Sequence, residues 1–75
     1  MGLKKFWDEL TTDERTAFAE RCGTTFGHLR NVAYGYKHCA ESLAIAIERE
    51  SNRTVRCEQL RPDVDWAYIR GSSAA

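Results

Sequence analysis

Phe18-Ala19-Glu20-Arg21-Cys22-Gly23-Thr24-Thr25-Phe26-Gly27-His28-Leu29-Arg30-Asn31-Val32-Ala33-Tyr34 is the stretch whose reading decides the fold. It reads as a helix, a short turn and a second helix. Ala19 falls where the two helices of such a pair approach closest, so only a small side chain fits there. Gly23, four residues on, can take the left-handed backbone conformation that ends the first helix. Thr25 supplies an N-cap for the second. Leu29 and Val32, one turn apart, lay the apolar stripe of that helix against the first. Each residue type in the pattern Ala-x3-Gly-x5-Leu-x2-Val therefore has a steric task.

The same stretch has an electrostatic signature. Between Arg21 and Ala40 there is no carboxylate, while Arg21, Arg30 and Lys37 are cationic. The whole chain balances eleven basic against eleven acidic residues, so this window is a local asymmetry. Nucleic-acid binding draws on phosphate neutralisation, which needs positive charge on one face and not a positive total. The neutral total counts against the reading, since many DNA-binding domains are basic overall. The local window is the stronger observation.

The second helix is expected from Phe26 to about Tyr34, with Gly35 as its stop. Leu29, Val32 and Ala33 face inward. Arg30, Asn31 and Tyr34 fall on the opposite side, joined by Gly27 near the N-terminal end. That exposed set is expected to enter the major groove of double-stranded DNA, with Lys37 in the following linker adding charge. Arginine pairs two-pronged with guanine O6 and N7, and asparagine does the same with adenine N7 and N6. Gly27 lets the helix end sit close to the DNA backbone, and Thr25 offers its hydroxyl and nearby amides to a phosphate. The plainer alternative is that Arg30 and Asn31 merely solvate a helix face.

Working outward, Leu3, Phe6, Trp7 and Leu10 repeat at helical spacing, and Thr11-x-x-Glu14 matches a capping box that starts the next helix. After the linker at 35–39, a helix is expected from Ala40 to about Ser51, with Leu43, Ala44 and Ile47 inward and Cys39 as its N-cap. Asn52-Arg53 reads as a turn, and Thr54-Val55 as a short extended piece burying Val55. Glu58-Gln59-Leu60 is at most one helical turn, closed by Arg61-Pro62 because the residue before proline avoids helical geometry. Val64 to Ile69 fits a strand or a helix, and 71–75 is expected to be a disordered tail on a single domain spanning 1–70. The fold class is all-α, with four to five short helices around a helix-turn-helix.

Three widely spaced cysteines, Cys22, Cys39 and Cys57, argue against a disulfide framework. With no run of membrane-span length and no charged-then-apolar leader, a cytoplasmic location is expected. Zinc-like spacing is absent, since no C-x2-C pair occurs and His38 adjoins Cys39. His28 and His38 lack a nucleophile or an orienting carboxylate at argued distance. Neither a metal nor another cofactor is expected, nor enzymatic activity.

With these residues in place, the chain resembles the Cro-like prophage regulators often grouped with YdaS. The resemblance rests on the motif, then Glu41 to Glu48 with its Ile47-Glu48 pair, then Val55 and Leu60-Arg61-Pro62-Asp63, and it covers roughly residues 12 to 63. It implies a lambda-repressor-like domain in a phage or prophage transcription regulator, generally a repressor, acting on a pseudo-palindromic operator. The recognition residues it implies are Thr25, Phe26, Gly27, Arg30, Asn31 and Tyr34. Two departures affect the base contacts: Thr24 stands where the turn usually has an apolar residue, and Phe26-Gly27 replaces a polar pair.

Two-fold operators call for a weak homodimer. Val64, Trp66, Tyr68 and Ile69 place four large apolar side chains in six residues. They are expected to pack partly on a two-fold partner, with Trp66 as the aromatic anchor. The alternative has Trp66 covering the core around Val55 and Leu60. Two rival functions stay open: a protein-interaction module on the same scaffold, and an antitoxin that captures a toxin partner through the C-terminal aromatics.

Overall fold

Leu3 and Trp7, four residues apart, are both buried and define the inward face of the first helix, α1 (Leu3–Asp8). The computed structural model describes residues 2–68; Ile69 and the tail expected at 71–75 lie outside the described residues. Four further helices follow, α2 (Thr12–Arg21), α3 (Phe26–Ala33), α4 (Glu41–Glu50) and α5 (Cys57–Leu60). Residues 66–68 are helical again, and no strand occurs among the described residues. The all-α expectation holds, and the ambiguous C-terminal segment resolves towards helix.

Local chemistry sets the helix ends. The Thr11 hydroxyl accepts from Glu14 N at 3.2 Å while the Glu14 carboxylate accepts from Thr11 N at 2.8 Å, the reciprocal capping box read from the sequence. Those bonds hold the Glu14 carboxyl below its ordinary pKa. Gly23 (φ 76°) and Gly35 (φ 84°) end α2 and α3 in the left-handed region, where a Cβ would be strained. Behind each glycine the chain closes a Schellman turn: Thr24 N donates to Ala19 O, and Tyr36 N to Asn31 O. The same closure ends α4 without a glycine, because Asn52 (φ 54°) and Arg53 (φ 64°) take the left-handed conformation themselves. Arg53 N then reaches Glu48 O at 2.8 Å.

The core draws on every element. Trp7, Phe18, Leu29, Ile47, Val55 and Cys57 are the largest fully buried side chains, and Ala19 and Ala44 fill the narrow places between helices. Each large apolar side chain so buried contributes about 1.5–3 kcal/mol. α3 packs on both α1 and α2, and α4 packs on α2 and α5. Residues 54–55 bend and do not extend, yet Val55 is fully buried as expected. Ser51 holds that bend, accepting from Val55 N at 3.1 Å.

Both residue pairs that carry the family resemblance have structural tasks. Ile47 is core, and the Glu48 carboxylate accepts from Cys57 N at 3.0 Å, capping the start of α5. Arg61 reaches three segments at once. Its guanidinium grips Asp63 through two bonds of 2.8 and 2.9 Å, donates to Cys39 O at 2.8 Å and pairs with Glu41 at 3.3 Å. The linker before α4 is thereby tied to the segment after α5.

The expected cap of α4 is corrected. Ala40, not Cys39, occupies the N-cap of α4; Cys39 turns its side chain into the core instead. Of the two readings of Trp66, packing within its own domain is the one observed in the single chain. The side chain is 3% exposed there, and its indole N–H donates to Arg61 O at 2.7 Å. Val64 packs partly buried against the same core. A 75-residue chain has so little core that an adjacent tryptophan is worth more inside it than at a weak contact. Among the described residues of the segment expected to dimerise, Tyr68 is the large side chain left outward, 73% exposed.

Candidate nucleic-acid interface

α2 and α3 are joined by the residues 22–25, and α3 presents its outer side to solvent. The Thr25 hydroxyl accepts from His28 N at 3.2 Å, so the N-cap forms as the sequence indicated. Leu29 and Val32 are buried against the rest of the domain, while Gly27, His28 and Arg30 are exposed and Asn31 is half-buried. Arg30 donates to the Asn31 side-chain oxygen at 3.4 Å, which brings the two expected base-reading groups together. A Cβ at position 27 would meet nothing within 4 Å, so local packing does not demand that glycine.

The remaining expected residues are placed differently. Phe26 turns inward: its ring meets Trp7 edge-on at 5.2 Å, packing against the core. It acts as a staple between α3 and α1, where an apolar ring at the first helical position has somewhere to go. Tyr34 caps the C-terminal end of α3, and its hydroxyl donates to the Asp8 carboxylate at 3.0 Å. Lys37 is exposed in the linker, with its backbone N–H bound to Asn31 O at 3.3 Å.

The carboxylate-free window is a property of the sequence that folding partly fills. Glu50, from α4, comes within 3.4 Å of Arg21, whose guanidinium also lies over the Phe18 ring at 5.7 Å. Asp8 comes beside Tyr34 and pairs with Lys4 at 3.6 Å. Arg21 and Lys4 are thus both compensated, and among the described residues the exposed positive charge of the α3 side rests on Arg30 and Lys37. Lys4 and His28 were not singled out from the sequence; the i, i+4 spacing of Lys4 and Asp8 was the available signal for the first.

Cys39 and Cys57 are buried and Cys22 is half-buried. Burial, and then Glu50, push the Cys22 thiol up to about 11, and burial raises Cys39 as well. Burial of this kind disfavours the thiolate, the reactive form. Among the described residues no three His, Cys, Asp or Glu side chains are grouped to hold a metal ion. Likewise no helix among them is long and apolar enough to cross a membrane.

A short α-helical domain with two capped helices packed around a glycine turn, the second bare on its outer side, defines the helix-turn-helix class. The chain belongs to the family described as Bacterial toxin YdaS, whose model matches residues 14–69. It is 36% identical over 62 residues to the prophage transcriptional regulatory protein of Escherichia coli (strain K12), covering 83% of this chain and 94% of that protein. It is 34% identical over 59 residues to a protein described as "Putative transcriptional regulator YdaS" of the same organism, covering 79% of this chain and 60% of that one. The resemblance read from Ile47-Glu48 and Leu60 to Asp63 is therefore confirmed.

Proposed function

We propose that this protein is a transcription regulator of prophage type that binds double-stranded DNA sequence-specifically, with the outer side of α3 in the major groove. One observation carries the reading: Gly27, His28 and Arg30 are exposed along a helix whose opposite side is locked into the core. Arg30 and Asn31 supply the groups that read guanine and adenine edges. Gly27 supports the same reading. Glycine inside a helix costs roughly 0.5–1 kcal/mol relative to alanine, and local packing does not require it. A surface approaching from outside, such as a phosphodiester backbone, gives it a reason.

Relatives described as transcriptional regulators support the regulator role. Repression, a Cro-like operator of two half-sites and action in the cytoplasm as a weak homodimer complete the proposal. The exposed Tyr68 ring supports a dimer contact in the C-terminal segment. A second reading, a protein-partner or toxin-system module on the same scaffold, is favoured by the family description, which names a toxin. A mobility shift with duplexes selected from a random pool, repeated at two salt concentrations, separates the two. A regulator retains preference for one selected sequence as salt rises. A partner-only module shows no sequence preference at any salt.

A further inference from the structure

Beside the C-terminal end of α3 the structure holds a second cationic feature outside the helix-turn-helix. Lys4 Nζ lies 5.8 Å from the centre of the Tyr34 ring and 3.6 Å from the Asp8 carboxylate. Tyr34 donates its hydroxyl to the other oxygen of that carboxylate at 3.0 Å. An ammonium and a hydroxyl thus converge on one anionic group at the surface. Lys4 also lines an open cleft of about 420 Å³, as do Lys37 and His38. The other charged groups on that cleft, Arg61 and Asp63, satisfy each other.

We infer that Lys4 and Tyr34 form a seat for a DNA-backbone phosphate, in which the Asp8 carboxylate stands in for the phosphate while the protein is free. The inference rests on the DNA-binding reading above and adds to it a contact from α1, which no motif marks. Its chemistry follows from the donors present. An ammonium and a phenol O–H, aimed at one carboxylate, present to a phosphodiester the same two donors. The position suits a helix lying in the groove, because the C-terminal end of such a helix, and the helices flanking it, run out over the backbone. Asp8 then has a definite effect. A phosphate displaces it only by overcoming repulsion at a few ångströms, which weakens binding to every sequence alike and leaves base reading to carry a larger share of the affinity. Tyr34 accordingly acts on the backbone and not on a base.

The test uses the full chain with its selected duplex and a scrambled duplex, read by fluorescence anisotropy across a salt series. Circular dichroism confirms that each variant is folded; Lys4 and Asp8 are surface residues, so their substitution leaves the core intact. Asp8→Asn is expected to tighten both duplexes by about three- to tenfold at low salt. Lys4→Gln is expected to lower the salt slope by about one on both, with the preference ratio unchanged. Inorganic phosphate added at constant ionic strength is expected to leave both affinities as they were. An unchanged slope in Lys4→Gln, or an Asp8→Asn protein that binds no tighter than its parent, overturns the inference while the DNA-binding reading stands. Displacement of DNA by inorganic phosphate at constant ionic strength also overturns it, making the cleft a small-anion site. Failure of the unaltered protein to bind any duplex removes the functional reading and this inference together.

Discussion

Replacing Trp66 separates a core residue from an interface residue. Its indole is 3% exposed, and its N–H donates 2.7 Å to the carbonyl of Arg61, the residue that also clamps the linker before α4. Truncating a buried tryptophan to alanine costs about 3–5 kcal/mol. At roughly 0.05–0.15 kcal/mol per residue, a domain of this length has a total stability of about 4–11 kcal/mol. Trp66→Ala should therefore remove between about a quarter and all of it. Trp66→Phe keeps most of the ring but leaves the Arg61 carbonyl without its donor, a loss of about 1–2 kcal/mol. With a urea dependence near 1 kcal/mol per molar for so small a protein, the phenylalanine variant's midpoint should fall by about 1–2 M. The assay is urea denaturation followed by far-ultraviolet circular dichroism, at a low and a high protein concentration. A core role predicts the same loss at both. An unchanged midpoint at low concentration, with the loss confined to high concentration, would refute the core assignment and restore Trp66 as a dimer anchor.

Ala19→Leu inserts bulk at a position 1% exposed between α2 and α3, and overpacking should cost about 1–3 kcal/mol; an unchanged thermal midpoint would mean the helices do not meet there. Arg30→Ala should cost about 1–3 kcal/mol on the selected duplex and relax preference at one base position, whereas uniform weakening with a smaller salt slope would assign Arg30 to the backbone. Arg61 holds the Asp63 carboxyl at about 2, below its ordinary 3.8. Because the folded value is depressed, that contact stabilises fully above about pH 4, and its contribution is lost as pH falls through 2. Parent and Asp63→Asn should consequently converge in thermal midpoint as the pH is lowered across that window; a constant difference down to pH 2 would contradict the pairing.

What the sequence revealed was what neighbouring residues decide. The Thr11–Glu14 box, the Thr25 cap, the Gly23 and Gly35 stops and the burial of Leu29, Val32 and Ile47 depend on spacings of a turn or less, and all appear as read. Contacts between distant segments were not legible. No local signal couples Arg21 to Glu50, Tyr34 to Asp8 or Phe26 to Trp7, and these pairs change the charge and shape of the α3 side. The Ile47-Glu48 and Leu60 to Asp63 pairs marked the family, but their reasons, a cap on α5 and a clamp on the linker, needed three dimensions. Trp66 fitted a core and an interface equally well by composition. The burial of its indole and the bond from its N–H to the Arg61 carbonyl place it within its own domain.

The central claim is that the outer side of α3 meets DNA bases, and amide chemical-shift mapping with the selected duplex tests it most directly. The account predicts that Gly27, His28, Arg30 and Asn31 shift strongly and depend on the duplex sequence. Ile45 and Arg49, on the solvent side of α4, should stay where they are. Strong sequence-dependent shifts on α4 with α3 unmoved would contradict the account.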